Sequence, residues 1–243
     1  MGIWLMTSLV PACFSALAAA SSDVELAPSE TAQTVWAAQG MNLRDGPSAS
    51  GRIVKKLGYG TPVSVLPHSD KPVAYEMEFF PKITRPTSDG KPRAQVLLDG
   101  EWIRIKAGDQ QGYVFNKLLL PFPPIKADED TEHYLARIFE LTAKPAVNHG
   151  GAIDTEYVSH GPRKIQLVRH ESSEASAIGG EVFIPDMSFD EAFVFFNAIL
   201  PPTLDADFSY QKGALFEYQY QAPGGARLTM EKGGVRFYWQ DEE

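Results

Sequence analysis

From residue 34 to residue 116 the chain alternates short apolar stretches with turn residues, and this pattern constrains the fold more than any other feature. Each stretch is four or five residues long, and together the stretches are rich in Val, Ile, Tyr and Trp. Such stretches favour strands and are too short for ordinary helices. Short, closely spaced strands are typical of a small barrel. The predicted strands are 34–38, 41–44, 53–57, 62–66, 102–106 and 112–116.

The motifs in this segment resemble, in their order, those of bacterial SH3 (SH3b) domains. Residues 39–50 read QGMNLRDGPSAS and are similar to the family's opening strand and its Gly-Pro-Ser turn. The segments GTPVSVL at 60–66, EWIRI at 101–105 and QGYV at 111–114 follow in the family's order. The likeness covers roughly a third of the chain. It implies an SH3-like β-barrel over residues 34–120.

A long insertion, residues 68–100, stands where the family has a short loop. Its first half contains Tyr75, Phe79 and Phe80, and its second half is basic and rich in turn residues. Alternation in 74–80 and 94–98 predicts an added hairpin. Its many large apolar residues argue against disorder. Two interpretations remain: the aromatic residues extend the core, or they form a binding surface.

The resemblance implies recognition, because bacterial SH3 domains commonly bind cell-wall peptides or proteins through aromatic side chains beside their loops. Trp102 and Tyr113 are the aromatic candidates in the barrel motifs. Together with Tyr75, Phe79 and Phe80 of the insertion they form the predicted partner-binding set. For Trp102 the alternative is that the indole fills the barrel core.

The first twenty residues predict export. The stretch from Ile3 to Ala20 contains no charge and ends in small residues, and its polar interruptions fit a signal peptide better than a membrane span. Cleavage after Ala20 would leave a polar leader, 21–33, which is expected to be flexible. The protein is therefore predicted to be periplasmic or secreted. A lipid anchor at Cys13 is a second, less favoured interpretation.

Cysteine usage follows from the same segment. Cys13 is the one cysteine of the sequence, so removal of residues 1–20 would leave no thiol. Disulfides, a cysteine nucleophile and a zinc-thiolate site would then all be excluded.

Beyond residue 120 the pattern predicts a different unit. A Pro-rich, acidic stretch, 121–130, is predicted to be a linker. Apolar spacing predicts helices at 131–142 and 188–199, the second with a capping box from Ser188 to Glu191. Together with the predicted strands, these helices indicate an α+β domain over 131–243, an antiparallel sheet with one or two packed helices. The predicted strands are 165–170, 180–184, 214–220, 226–231 and 235–239.

Charge separates the two units. The formal charge is −9, but residues 34–120 carry twelve Lys or Arg against eight Asp or Glu, whereas residues 121–243 carry ten against twenty. A basic excess this small, without a long basic run, argues against nucleic acid as a partner.

No pattern of catalytic or metal-binding residues is present. Four histidines of the second unit, His133, His149, His160 and His170, match no compact ligand spacing. The sequence contains no Gly-x-Ser-x-Gly nucleophile motif. We therefore predict no catalytic residues, no metal ligands and no cofactor.

The sequence thus predicts an exported, non-enzymatic binding protein whose SH3-like domain recognises a cell-wall peptide or an envelope protein. Two alternatives remain open. One is a cell-wall hydrolase with its site in residues 131–243, and the other is an inhibitor or immunity-type protein.

Overall fold

The computed structural model describes residues 31–67, 72–79, 95–161, 164–172, 177–199, 206–220 and 224–242. The predicted signal peptide with Cys13, the leader up to residue 30 and the aromatic Phe80 lie outside these residues. No helix in the described ranges is long and apolar enough to span a membrane.

Sheet A consists of eight described strands, all paired antiparallel. Their order is β3-β2-β7-β6-β4-β1-β8, with β5 paired to β6. No pairing between β3 and β8 closes this sheet in the described residues, so the closed barrel expected from the sequence is not formed by a ring of hydrogen-bonded strands. The strands are β1 Thr31–Val35, β2 Met41–Arg44, β3 Ile53–Leu57, β4 Pro62–Val65, β5 Val73–Phe79, β6 Val96–Ala107, β7 Gln110–Phe115 and β8 Leu119–Leu120.

The first strand begins earlier than the sequence pattern indicated. Residues 31–33 belonged to the predicted flexible leader, yet Thr31 pairs with Val65 and Gln33 with Val63. These three residues are mostly polar, so they gave no apolar signal. They join the sheet because β4 offers an edge to pair with.

Sheet B consists of nine described strands, again all antiparallel. Their order is β10-β11-β12-β13-β17-β16-β15-β14, with β9 paired to β11. The expected architecture of a mainly β protein with antiparallel sheets and two packed helices is therefore confirmed. The strands are β9 Leu141–Ala143, β10 Val147–Asn148, β11 Ala152–Ser159, β12 Gln166–Ser172, β13 Ala177–Pro185, β14 Ala206–Gln211, β15 Leu215–Tyr220, β16 Gly225–Glu231 and β17 Gly234–Glu242.

Helix α1, Thr131–Ile138, starts where the sequence indicated and ends earlier. Asp130 caps it, because one of its carboxylate oxygens accepts the His133 backbone N–H at 2.8 Å. Glu140 then adopts a positive φ of 52°, which stops the helix before residue 142. The residues after it pair with β11 as strand β9.

Helix α2, Phe189–Ile199, begins with the predicted capping box. The Ser188 N–H donates to the Glu191 carboxylate at 3.0 Å, and the Glu191 N–H donates to the Ser188 hydroxyl at 3.4 Å. From Ala192 onward every residue of this helix is buried. A helix that is buried on all sides needs packing partners on all sides.

Both sheets supply those partners. Phe195 lies 5.1 Å from the ring of Trp36, which follows β1 of sheet A. Phe196 stacks on Phe237 of β17 in sheet B at 3.7 Å. Helix α2 therefore lies between the two sheets, and one continuous hydrophobic cluster extends from Trp36 to Phe237.

The predicted linker, residues 121–130, is packed into the same cluster. Phe122 is buried, and its carbonyl oxygen accepts the Trp36 indole N–H at 3.0 Å. The next carbonyl, of Pro123, accepts the hydroxyl of Tyr134 at 2.7 Å, and burial raises the pKa of that phenol. Hydrogen bonds to buried donors hold the main chain here in one position.

Candidate functional site

Strand β6 buries different faces at its two ends. Its even-numbered residues share one face, here called the outer face, and its odd-numbered residues share the inner face. At the start of the strand Val96 and Leu98 are buried on the outer face, whereas near its end Ile105 and Ala107 are buried on the inner face. The outer face is thus covered at the beginning of β6 and open at its end.

The insertion covers the closed part of the outer face. Strands β5 and β6 form the predicted hairpin, in which Tyr75 lies opposite Gly100 and Phe79 opposite Val96. Phe79 makes an edge-to-face contact of 5.7 Å with Phe193 of α2. Tyr75 packs between Trp102 at 5.4 Å and Phe115 at 5.7 Å.

Polar contacts also fix this hairpin to the second unit. The Tyr210 hydroxyl donates to the Leu97 carbonyl at 3.2 Å, and Lys212 forms salt bridges of 2.6 Å to Glu76 and 2.9 Å to Asp99. The insertion is therefore part of the contact between the two sheets.

The open part of the outer face carries a cross-strand row of charged and aromatic side chains. Arg44 of β2 lies opposite Tyr113 of β7, and Tyr113 lies opposite Arg104 of β6. Residues directly opposite on antiparallel strands project from the same face, with Cβ atoms about 4.5–5.5 Å apart. We call Arg44, Tyr113 and Arg104 the basic row.

A groove continues the same face beside the basic row. Lys106 lies opposite Ser64 of β4, and Ser64 lies opposite Ala32 of β1. The small side chains at Ala32 and Ser64 leave a cavity of about 350 Å³, which also borders Thr34 and Gly108. The Arg104 guanidinium donates to the Gln111 side chain at 2.9 Å. Because Gln111 lies opposite Lys106, this hydrogen bond connects the basic row to the residues of the groove.

Two cations of this face have no carboxylate partner among the described residues. Arg44 donates to the backbone carbonyl of Gly51 at 2.6 Å, and Lys106 is exposed at the groove. Neither forms a salt bridge within the described ranges. Their positive charge is available to a ligand.

The predicted partner-binding residues fall into three positions. Trp102 is 6% exposed and packs with the half-buried Tyr75, so these two lie together in an apolar cluster under β5. Phe79 lies against α2. Of the four described members of the set, Tyr113 is the one in the open basic row, and Phe80 lies outside the described residues.

Sequence reasoning missed Arg44, Arg104 and Lys106 as site residues. Strand alternation alone places Arg104 and Lys106 on one face of β6. Their neighbours Arg44 and Ser64 come from strands whose pairing register depends on the whole sheet, so no local signal could have found them.

The histidines of the second unit make local polar contacts. Asp154 contacts His170 at 2.8 Å and His149 at 3.6 Å, and His160 contacts the Thr142 hydroxyl at 3.1 Å. No three His, Cys, Asp or Glu residues of the described ranges are arranged to hold a metal ion.

A further polar cluster of this unit joins Tyr157, Glu132 and Arg169. The Tyr157 hydroxyl donates to Glu132, and the Arg169 guanidinium lies 3.0 Å from the same carboxylate. Burial, followed by the contact with Glu132, raises the pKa of Tyr157 to about 12. Because Glu132 lies in α1 and its two partners lie in sheet B, these contacts connect α1 to the sheet.

Comparison with known proteins adds no relative. No protein-family model, no curated protein and no solved structure matches the chain. The likeness to bacterial SH3 domains therefore depends on the sequence motifs alone.

Proposed function

We propose that this is an exported, non-enzymatic binding protein that holds a cell-wall peptide or an envelope protein on the outer face of sheet A. The observation that carries the proposal is the basic row of Arg44, Tyr113 and Arg104 beside the groove at Lys106. In this proposal sheet A is an SH3-like module, residues 1–20 are a signal peptide, and Cys13 is removed with it.

The chemistry of the row supports peptide recognition. Arg and Tyr are enriched at protein interfaces, because both combine a large contact area with directional hydrogen bonding. An extended peptide crossing three strands could stack on the Tyr113 ring and place acceptors near Arg44 and Arg104. Tyr75 and Trp102 pack together on the same face beside the row, and this packing supports the side chains of the row on one side.

A sedimentation assay with purified cell-wall sacculi tests the proposal. We expect the purified protein to sediment with sacculi, or to capture one envelope protein stoichiometrically, without releasing soluble wall fragments. The double variant R104Q/Y113A should weaken this binding by about tenfold, since both side chains contact the partner. The matched control is Lys232→Gln, an exposed lysine in a turn of sheet B.

Other outcomes would overturn the proposal. Release of wall fragments, abolished by changes to acids or histidines of residues 131–243, would assign a hydrolase. A stoichiometric complex that blocks a co-encoded enzyme would assign an inhibitor. Equal binding by R104Q/Y113A and the unchanged protein would move the site away from the basic row.

A further inference from the structure

The groove beside the basic row has the chemistry of a small anion site. Lys106 supplies an exposed ammonium, and Ser64, directly opposite it, supplies a half-buried hydroxyl. Thr34 adds a second half-buried hydroxyl from β1. Hydrogen bonds from a cation and from hydroxyls to a carboxylate are charge-assisted and stronger than neutral ones.

The size of the groove limits what can enter it. Its volume of about 350 Å³ is near the lower end of the range of ligand pockets. That space suits one or two amino-acid residues, and the turn at Gly108 and the chain at Pro121 border it.

We propose that the groove binds the C-terminal residue of a peptide, with the terminal carboxylate paired to Lys106. The preceding residues of the peptide would extend over Arg104 and Tyr113, because the two rows are adjacent on β6 and β7. This inference rests on the proposed function and names the part of the partner that the outer face recognises.

A carboxylate fits the groove better than a phosphate does. A phosphate carries a higher charge and is usually held by bidentate arginine or by several backbone N–H groups. Among the described residues that line the groove, Lys106 is the one charged side chain, beside the hydroxyls of Ser64 and Thr34 and the amide of Gln33, and this matches a singly charged group.

Two pools of acetylated tetrapeptides, identical except for a free carboxylate or an amide at the C-terminus, test the proposal. Binding is followed by chemical-shift changes of the ¹⁵N-labelled protein. We expect the acid pool to shift the signals around Ser64 and Lys106, and the amide pool to bind about tenfold more weakly. Lys106→Gln should lose the preference for the acid pool, Lys106→Arg should keep it, and the control Lys232→Gln should behave as the unchanged protein.

Equal affinity for the two pools, an unchanged preference in Lys106→Gln, or no shifts with the acid pool would each overturn the proposal. Amidated peptides that contain aspartate distinguish a side-chain carboxylate from a C-terminal one. Binding of these peptides as tight as that of the acid pool would also overturn the proposal. A thermal melt of Lys106→Gln verifies that the variant folds.

Sedimentation with native sacculi and with sacculi whose carboxylates have been amidated separates this proposal from the broader function. If the protein sediments with both equally, the groove proposal fails while a binding function stands. If it binds the acid pool but no sacculi and no envelope protein, the groove proposal stands and the proposed function fails.

Discussion

The two sheets use their arginines differently. In the described part of the second unit every arginine contacts a carboxylate: Arg137 pairs with Glu129, Arg169 with Glu132, Arg227 with Glu217 and Arg236 with Glu231. In the first unit Arg52 also pairs with a carboxylate, that of Asp45, whereas Arg44 on the outer face of sheet A donates to a backbone carbonyl.

Under the proposed function, this difference separates a surface stabilised by ion pairs from a surface that keeps positive charge for a partner. The second unit is the more acidic one. Arg227 and Arg236 join neighbouring strands of sheet B, whereas Arg137 and Arg169 pair with carboxylates in and before helix α1. A guanidinium held by a neutral oxygen keeps its charge for a ligand. Net charge alone would not have shown this, because the pattern depends on which side chains face each other.

The largest expected effect is on the hydrophobic core that the two sheets share. Phe195→Ala removes a fully buried ring that contacts both Trp36 and Phe196, and we expect it to cost about 3–5 kcal/mol in the free energy of unfolding. Because the core is continuous, sheet A and sheet B should lose stability together. Denaturant unfolding followed by tryptophan fluorescence and by circular dichroism should give coincident transitions. Two separated transitions would show that the sheets unfold as independent domains.

A smaller effect is expected at the insertion. A Cβ at Gly100 would lie 2.4 Å from the Asn116 side-chain oxygen and 2.7 Å from the Phe115 ring. Gly100→Ala should therefore cost about 1–3 kcal/mol, as overpacking does elsewhere. The matched control is Gly46→Ala, where nothing lies within 4 Å of the added carbon. A Gly100→Ala protein as stable as the control would mean that the hairpin is not packed as described.

Removing one arginine from each sheet should have two different effects. Arg236→Gln breaks the contacts with Glu231 and Glu181, which are partly exposed, and should cost about 0.5–1 kcal/mol of unfolding free energy. Arg44→Gln breaks no salt bridge of the described residues, so it should leave stability within about 0.5 kcal/mol and, under the proposed function, weaken partner binding instead. Chemical denaturation and the sedimentation assay on both variants measure the two effects. If the sheet B variant lost partner binding and the sheet A variant lost stability, the arginines would have the opposite roles.

The last effect is a pH dependence that acts through a paired charge of the second unit. Hydrogen bonds from Arg137 lower the pKa of Glu129 to about 2, from an ordinary value of 4.5. The folded state thus binds this proton less readily than the unfolded chain, so the stabilisation is complete above pH 4.5 and is lost as the pH falls toward 2. Unfolding free energies between pH 2 and 7 should fall less steeply in Arg137→Gln than in the unchanged protein. An identical pH profile in both proteins would contradict the role of this pair.

Local sequence signals predicted many elements and few of the contacts between them. Strands Met41–Arg44 and Ile53–Leu57 have the bounds that alternation indicated, and the capping box of α2 formed as expected. Strand Ala152–Ser159 was missed, because its half-exposed residues mix polar and apolar types without a clear period.

The joining of the two units was also beyond local reasoning. The proline-rich stretch after residue 120 has the composition of a linker, yet Phe122 is buried beside Trp36 and Phe195. Composition describes how a segment behaves in isolation, whereas burial depends on the partner that the rest of the chain supplies. The basic row depends in the same way on pairing between strands that are distant in sequence.

The packing of Trp36 against Phe195 determines when the first sheet can complete its folding. The first sheet cannot complete its core until helix α2, far along the chain, has been synthesised and has folded against it. Contacts between such distant residues slow folding, because a long loop must close before they form. The first sheet is therefore still incompletely folded while the chain is being synthesised. If the protein is exported as proposed, this delay keeps the chain in the unfolded form that can pass through an export channel.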